Sequence, residues 1–164
     1  MKAPRPGNEV ERLQALQALL LLDTPPEERF DRIAAFAASE FDVPMAMVTL
    51  VDENRQWFKA RVGLTLCETE RDVSFCGHAI MAHATMVVPD ARRDPRFADN
   101  PLVTGEPNVC FYAGAPLGLP TGEIVGTLCI IDTQPRKMDR TDLAILGALR
   151  ALVLEELQRR EVAS

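Results

Sequence analysis

Apolar positions recur along this chain at two periods, helical at both ends and strand-like in the middle. Asn8 with Glu11 three residues later makes a capping-box-like start. Val10, Leu13, Leu16 and Leu20 then mark one side of a helix that ends near Leu22-Asp23. A second helix is signalled by Thr24 as N-cap, Pro25 at the first helical position and Glu27 completing the box. Phe30, Ile33, Ala34, Ala37 and Phe41 give it one apolar face, and Pro44 closes it. Met45 to Asp52 and Gln56 to Val62 read as paired strands across a polar turn. A loop through Gly63 and Cys67 to Asp72 leads to Ser74, the cap of a short helix from Phe75 to about Ala84. Thr85 to Val88 is a third strand. Pro89 to Pro107 is irregular: Asp94 caps a turn begun by Pro95, and Asn100-Pro101 stops it.

The strongest pattern is Asn108 to Asp132, NVCFYAGAPLGLPTGEIVGTLCIID. Val109 to Leu117 and Ile124 to Ile131 are near-continuous apolar runs separated by the turn residues Gly118 to Gly122. Runs that do not alternate belong to strands covered on both faces. A hairpin symmetric about Pro120 sets Cys110 opposite Ile130 and Cys129 opposite Phe111, which points the two thiols to opposite faces. Asp139 caps a last helix to about Arg160, with Leu143, Leu146, Leu149, Val153 and Leu157 as its stripe. The elements predict an α+β fold in which helices cover one face of the sheet.

Composition narrows the function. The 164 residues, 47% apolar and 26% charged, suffice for one core. One domain over 8–160 is expected, with a flexible segment 1–7 and a tail 161–164. A net charge of −6 without a basic stripe excludes a nucleic-acid surface. The start MKAPRPGNE is neither signal peptide nor lipidation site, and Ala18 to Leu22 is too short to cross a bilayer. A cytoplasmic protein without membrane attachment follows, in which Cys67, Cys76, Cys110 and Cys129 are thiols.

The ordered segments resemble a GAF domain, the sensory and regulatory fold related to PAS domains. They are Leu22-Asp23-Thr24-Pro25-Pro26-Glu27, Val51-Asp52 through Arg55-Gln56-Trp57-Phe58, Ser74-Phe75-Cys76-Gly77-His78-Ala79-Ile80, Asp90-Ala91 with Asp94-Pro95-Arg96-Phe97, Phe111 to Pro116 and Gly126 to Asp132. The resemblance implies an antiparallel sheet of five or six strands. Terminal helices pack on one face, and Ser74 to Pro107 roofs a pocket on the other. Similar modules lie beside diguanylate cyclase and histidine kinase domains. Here the chain stops three residues after Glu161, which reads as a free-standing module. The Asn-Lys-Phe-Asp-Glu pattern of cyclic-nucleotide-binding members is absent, and no cysteine directly precedes a histidine as bilin attachment requires.

Several residues carry candidate chemistry. Cys76 and His78 project about 200° apart on a helix and cannot chelate one ion. Cys76 in a first helical turn favours a thiolate, and some GAF-fold enzymes reduce free methionine sulfoxide with cysteines near this roof. Asp90, Asp94 and Asp99 with Arg92, Arg93 and Arg96 form a charged patch that ties down the long loop. Arg71 is expected to pair with one of these aspartates.

The expectation is a non-enzymatic regulatory module without cofactor or metal. It binds an unidentified small molecule, forms a homodimer through its terminal helices, where Leu19, Leu21, Leu22, Leu152 and Leu154 are surplus, and meets a signalling partner protein. Phe75, Cys76, Phe97, Phe111 and Ala113 are expected to line the pocket, with Asp90 and Arg96 as polar contacts. The alternatives are a methionine sulfoxide reductase-like enzyme using Cys76 and a purely structural interaction module.

Overall fold

The computed structural model describes residues 1–159; the expected tail 161–164 and the last residue of the expected domain lie outside them. Six antiparallel strands form one sheet in the order β3-β2-β1-β6-β5-β4. They are β1 (Met45–Val51), β2 (Arg55–Val62), β3 (Glu68–Glu70), β4 (Met86–Val88), β5 (Phe111–Gly118) and β6 (Ile124–Asp132). The apolar hairpin β5–β6 sits inside this sheet and is buried on both faces. On one face α2 (Glu28–Phe41), α5 (Arg140–Gln158) and Leu16 of α1 (Glu9–Ala18) enclose a core with Val48, Leu50, Phe111, Ala113, Leu128 and Ile130. The other face carries Met45, Met47, Phe58, Tyr112 and Cys129 beneath α3 (Phe75–Ala79), α4 (Pro101–Thr104) and the connecting loops. The α+β architecture, covered on both sides, is as expected.

Five local differences have physical reasons. Thr24 does not cap α2, which starts at Glu28, because Pro26 disfavours helical geometry at Pro25. Thr24 instead accepts a hydrogen bond from the buried Lys59 ammonium at 2.7 Å. The edge strand β3 (ETE) has no apolar member, so hydrophobic patterning misses it. The helix begun at Phe75 ends at Ala79, since Met81 to Ala84 are exposed and bring no apolar face to the core. Asn100 opens α4 rather than closing a turn; its side chain accepts from the Leu102 amide, with Pro101 in the first turn.

The fifth concerns α1. Val10 is exposed, and Arg12 is buried with Leu16. The Arg12 guanidinium donates to the Val51 carbonyl at 2.6 Å and to Glu9 at 2.8 Å. Arg71, fully buried, also pairs with Glu9, not with an aspartate of the loop. Two guanidiniums converging on one carboxylate set the rotation of α1. Of the surplus leucines, Leu21 is in the core, while Leu19, Leu22 and Leu154 are half-buried.

Residues 1–7, expected to be flexible, lie against the roof: Ala3 is buried, its amide donates to Asp72 O at 3.1 Å, and the Met1 ammonium reaches Arg96 O.

Hairpin register decides which residues face the roof. A bulge near Leu117 and a turn closed by the Leu119 amide on Glu123 O place Gly114, not Phe111, opposite Cys129. An odd shift exchanges the faces. Cys129 and Tyr112 therefore share the roof side, and Cys110 has their parity rather than the opposite one. The Cys110 thiol turns to Asp90 Oδ1 at 3.3 Å, and all four cysteines are free.

Candidate functional site

Strand alternation builds the floor of a cavity under the roof. Met45 and Met47 of β1, Gln56 and Phe58 of β2 and Tyr112 of β5 point into it, while Trp57 and Phe111 turn to the helical side. Phe75 and Cys76 of α3 form one wall, and Leu64, Leu66, Leu102 and Pro107 form the outer one. The enclosed space is about 40 Å³ and almost wholly apolar. That is room for a few small atoms, against the ten to fifteen Å³ or so that one water occupies. The polar exceptions are Gln56 and Thr69, which bond each other. Gln56 Nε2 donates to Thr69 Oγ1 at 2.9 Å, and its buried Oε1 has no hydrogen-bond partner.

Cys76 is positioned by the N-cap of α3, where Ser74 Oγ accepts from the Gly77 amide at 3.0 Å. Its sulfur lies in a polar nest inside an apolar layer. Thr127 Oγ1 donates to it at 3.1 Å, Tyr112 Oη lies at 3.1 Å and Cys129 Sγ at 4.0 Å. Thr49 and Thr127 hydroxyls share a 2.9 Å hydrogen bond behind them. Gly114 makes space for this, since a Cβ there would stand 2.1 Å from Tyr112 Oη. Burial by itself raises a thiol pKa. Hydrogen bonds from Cys129, Thr127, Tyr112 and Thr49 outweigh it and bring Cys76 down to about 7. Burial, and then the neighbouring Cys76, hold Cys129 well above the ordinary thiol value. With only five residues in α3, side-chain donors rather than a helix terminus account for the shift.

Thr127→Val tests this nest. Removing a donor raises the Cys76 pKa, and loss of the buried Thr49–Thr127 hydrogen bond lowers stability by about 0.5–1.5 kcal/mol. Thiolate absorbance against pH, in a Cys67→Ser/Cys110→Ser background, reads the first effect; an unmoved midpoint would show that the hydroxyls do not tune the thiol.

The expected site residues separate. Phe75 and Cys76 line the cavity. Phe97 lies behind them, stacked on Phe75 at 4.1 Å between ring centroids. Phe111 and Ala113 are in the helix-side core, because the register is odd-shifted relative to a hairpin about Pro120. Asp90 and Arg96 do not line the cavity. Asp90 holds Arg92 through two side-chain hydrogen bonds of 2.9 Å, and those bonds keep its carboxyl well below the usual range. Arg96 pairs with Asp94 at 2.8 Å and covers the Phe97 ring. These arginines hold the loop, the structural role read from sequence. Sequence reasoning missed Tyr112, Gln56 and Thr127 as site residues and put Cys129 in the plain core; the signal was strand parity, usable only once the register was known. Among the described residues no three histidine, cysteine or acidic side chains converge as a metal site, and no helix is long and apolar enough to cross a membrane.

Fold and site together define a small sensory and regulatory domain: a doubly covered antiparallel sheet with a roofed cavity. The chain belongs to the GAF domain family, whose model matches residues 25–155. A cyclic di-GMP phosphodiesterase of Pseudomonas aeruginosa is 42% identical over 155 residues, 94% of this chain and 26% of that protein. The chain thus spans about a quarter of that relative's length. Among solved structures, free methionine-R-sulfoxide reductase from Neisseria meningitidis, in complex with its substrate, matches with a TM-score of 0.64 and 20% identity over 91% of this chain and 87% of that one. The GAF domain of Acinetobacter phosphoenolpyruvate-protein phosphotransferase matches at 0.63 and 16% over 90% and 92%. At such identities these two likenesses speak for the fold. One expectation is corrected by the Pseudomonas relative: the reading as non-enzymatic is overturned by its name, a cyclic di-GMP phosphodiesterase, of which this chain matches about a quarter.

Proposed function

We propose that this chain is the sensory module of a protein acting in cyclic di-GMP turnover, taking a small ligand in the roof-side cavity and passing its occupancy to the terminal helices. The observation that carries the proposal is Gln56 Oε1, a buried acceptor without a partner on a residue of an almost wholly apolar cavity. An unmatched buried acceptor invites a ligand that donates a hydrogen bond. The outer wall, Leu64, Leu66, Leu102 and Pro107, consists of loop and one four-residue helix, and the methionine floor adapts to shape. A ligand larger than the enclosed space displaces this wall, and the altered packing biases α1 and α5. Val10, Leu143 and Leu152 stay exposed on those helices, which supports a homodimer through them.

Native mass spectrometry of the protein as isolated tests both parts. A dimer retaining a ligand, with the ligand lost in Gln56→Leu, is the expected result; a ligand-free monomer in every preparation opposes it. Grafting this chain in place of its counterpart in the Pseudomonas phosphodiesterase tests the link to cyclic di-GMP. Hydrolysis then changes when the cavity is filled by Met47→Trp.

The Cys76 nest favours a second reading, a thiol-dependent methionine sulfoxide reductase. Turnover of free methionine sulfoxide with a dithiol reductant, abolished in Cys76→Ser, supports it. No turnover in the reduced wild type removes it.

A further inference from the structure

The pair Cys76–Cys129 is not needed for reversible ligand binding, and its setting is unlike that of the other two thiols. Cys67 is exposed, and Cys110 is held by Asp90. Cys76 lines the cavity, and its sulfur stands 4.0 Å from Cys129 Sγ, with hydroxyl groups of Thr127 and Tyr112 around it. A buried thiol serving only as filler needs no hydroxyl neighbours, yet the hydroxyls of Thr127 and Tyr112 both stand at 3.1 Å from this one. The cavity is also matched in size to a very small reactant. About 40 Å³ accommodates a molecule of two oxygen atoms without any movement of the wall.

We propose that Cys76 and Cys129 are a peroxide-reactive dithiol in which Cys76 is oxidised first and Cys129 closes a disulfide onto it. The inference deepens the sensory reading of the same cavity by naming a second stimulus, hydrogen peroxide. Cys76 sulfur attacks one peroxide oxygen and the O–O bond breaks. The thiol proton of Cys76 leaves with the departing hydroxide as water, and Cys76 becomes a sulfenic acid. Cys129 sulfur then attacks Cys76 sulfur, the S–O bond breaks, and the Cys129 proton leaves with that hydroxide as a second water. Two thiols and one peroxide give one disulfide and two waters, and a small dithiol reductant reverses the change. The hydroxyls support the first step by stabilising the attacking thiolate, and once Cys76 is a sulfenic acid its charge no longer helps to hold the Cys129 proton in place.

A disulfide needs about 2.05 Å between sulfurs, so closure draws α3 toward β6. That movement reaches the roof directly. Phe75 beside Cys76 stacks on Phe97, and Gly77 lies against Ala3 of the N-terminal segment, where an added Cβ would come 2.6 Å from the Ala3 Cβ.

The test uses the full reduced chain treated with hydrogen peroxide, unfolded in an alkylating agent and mapped without reduction. The expected product has lost two hydrogens and yields a linked peptide pair containing Cys76 and Cys129. It forms before oxidation of exposed Cys67 is detected, because hydroxyl and thiol donors hold the Cys76 thiol below its ordinary value. Cys129→Ser stops at a sulfenic acid on Cys76, trapped as a dimedone adduct. Cys67→Ser, away from the core, changes nothing. Wild-type protein in which Cys76 and Cys129 both remain alkylatable while Cys67 is oxidised overturns the proposal, as does a linked pair of different cysteines. These outcomes are read on wild type and so do not depend on the buried variants folding. Ligand retention by the reduced protein is a separate measurement, so either reading can fail alone. Free methionine sulfoxide in place of peroxide separates this chemistry from the reductase reading.

Discussion

Glu9→Ala is expected to lower the unfolding free energy by about 3–5 kcal/mol, the range for removing one member of a buried charge group. The carboxylate accepts from Arg12 Nε at 2.8 Å and from Arg71 Nη2 at 3.1 Å, and both arginines are fully buried. Without it, two guanidiniums stay desolvated with only carbonyl partners, the Val51 carbonyl for Arg12 and those of Asp52 and Glu53 for Arg71. Arg71 Nε is already without a partner. The same substitution unfastens α1, whose first turn is tied to the end of β1 through these groups. Urea denaturation checks it: the midpoint falls with an unchanged slope. Acid titration provides an independent reading. Burial tends to raise the Glu9 pKa, but the hydrogen bonds from Arg71 and Arg12 prevail and lower it from 4.5 to about 2. A depressed carboxylate pKa contributes stability that is complete above 4.5 and disappears as pH falls toward about 2. Wild type therefore loses stability through that window, and Glu9→Ala shows a flatter profile there. Arg92→Ala, breaking an exposed pair, is expected to leave the urea midpoint almost unmoved. Equal losses from the two variants would refute the buried network.

Gly126→Ala is the second large expected effect, a loss on the order of 3 kcal/mol or more, or no folded protein at all. Gly126 lies opposite Leu50 where β6 pairs with β1. A Cβ there would sit 1.8 Å from the Thr49 carbonyl oxygen and 3.0 Å from Leu50 Cα. Both obstacles are backbone of a central strand, so no rotamer relieves them. The strands must part, and with them the Thr49–Thr127 hydrogen bond supporting Cys76. Gly147→Ala is the internal comparison. It lies within α5 and meets nothing within 4 Å, so it is expected to stabilise the protein by roughly 0.5–1 kcal/mol. Thermal unfolding of the two variants gives shifts of opposite sign. A Gly126→Ala protein that melts with wild type would mean that β1 and β6 do not approach as closely as this.

How far the site could be read depended on the kind of signal. The place of Phe75 and Cys76 at the start of α3 was legible because Ser74 is a local cap, and a cap fixes the residues just after it. Phe111 and Ala113 were misassigned because the turn at Leu119 to Glu123 and the bulge near Leu117 are not announced by any apolar pattern, and one odd step reverses every side chain of a strand. Arg71 was correctly read as buried and paired, but its partner lies 62 positions away, on a helix whose rotation its apolar residues misreport.

The amino-acid order alone was enough for the family, the antiparallel sheet covered on both faces and the helices near each end. The family and the antiparallel sheet rest on the resemblance of ordered motifs to GAF domains; the helices and the covering on both faces rest on periodicity and capping, which act over a few residues. Tertiary packing alone decided strand register, the rotation of α1, the small size of the cavity and the meeting of Cys76 with Cys129, Tyr112 and Thr127. Each of these is a balance among groups distant in the chain, where a buried charge or a single bulge outweighs local preference.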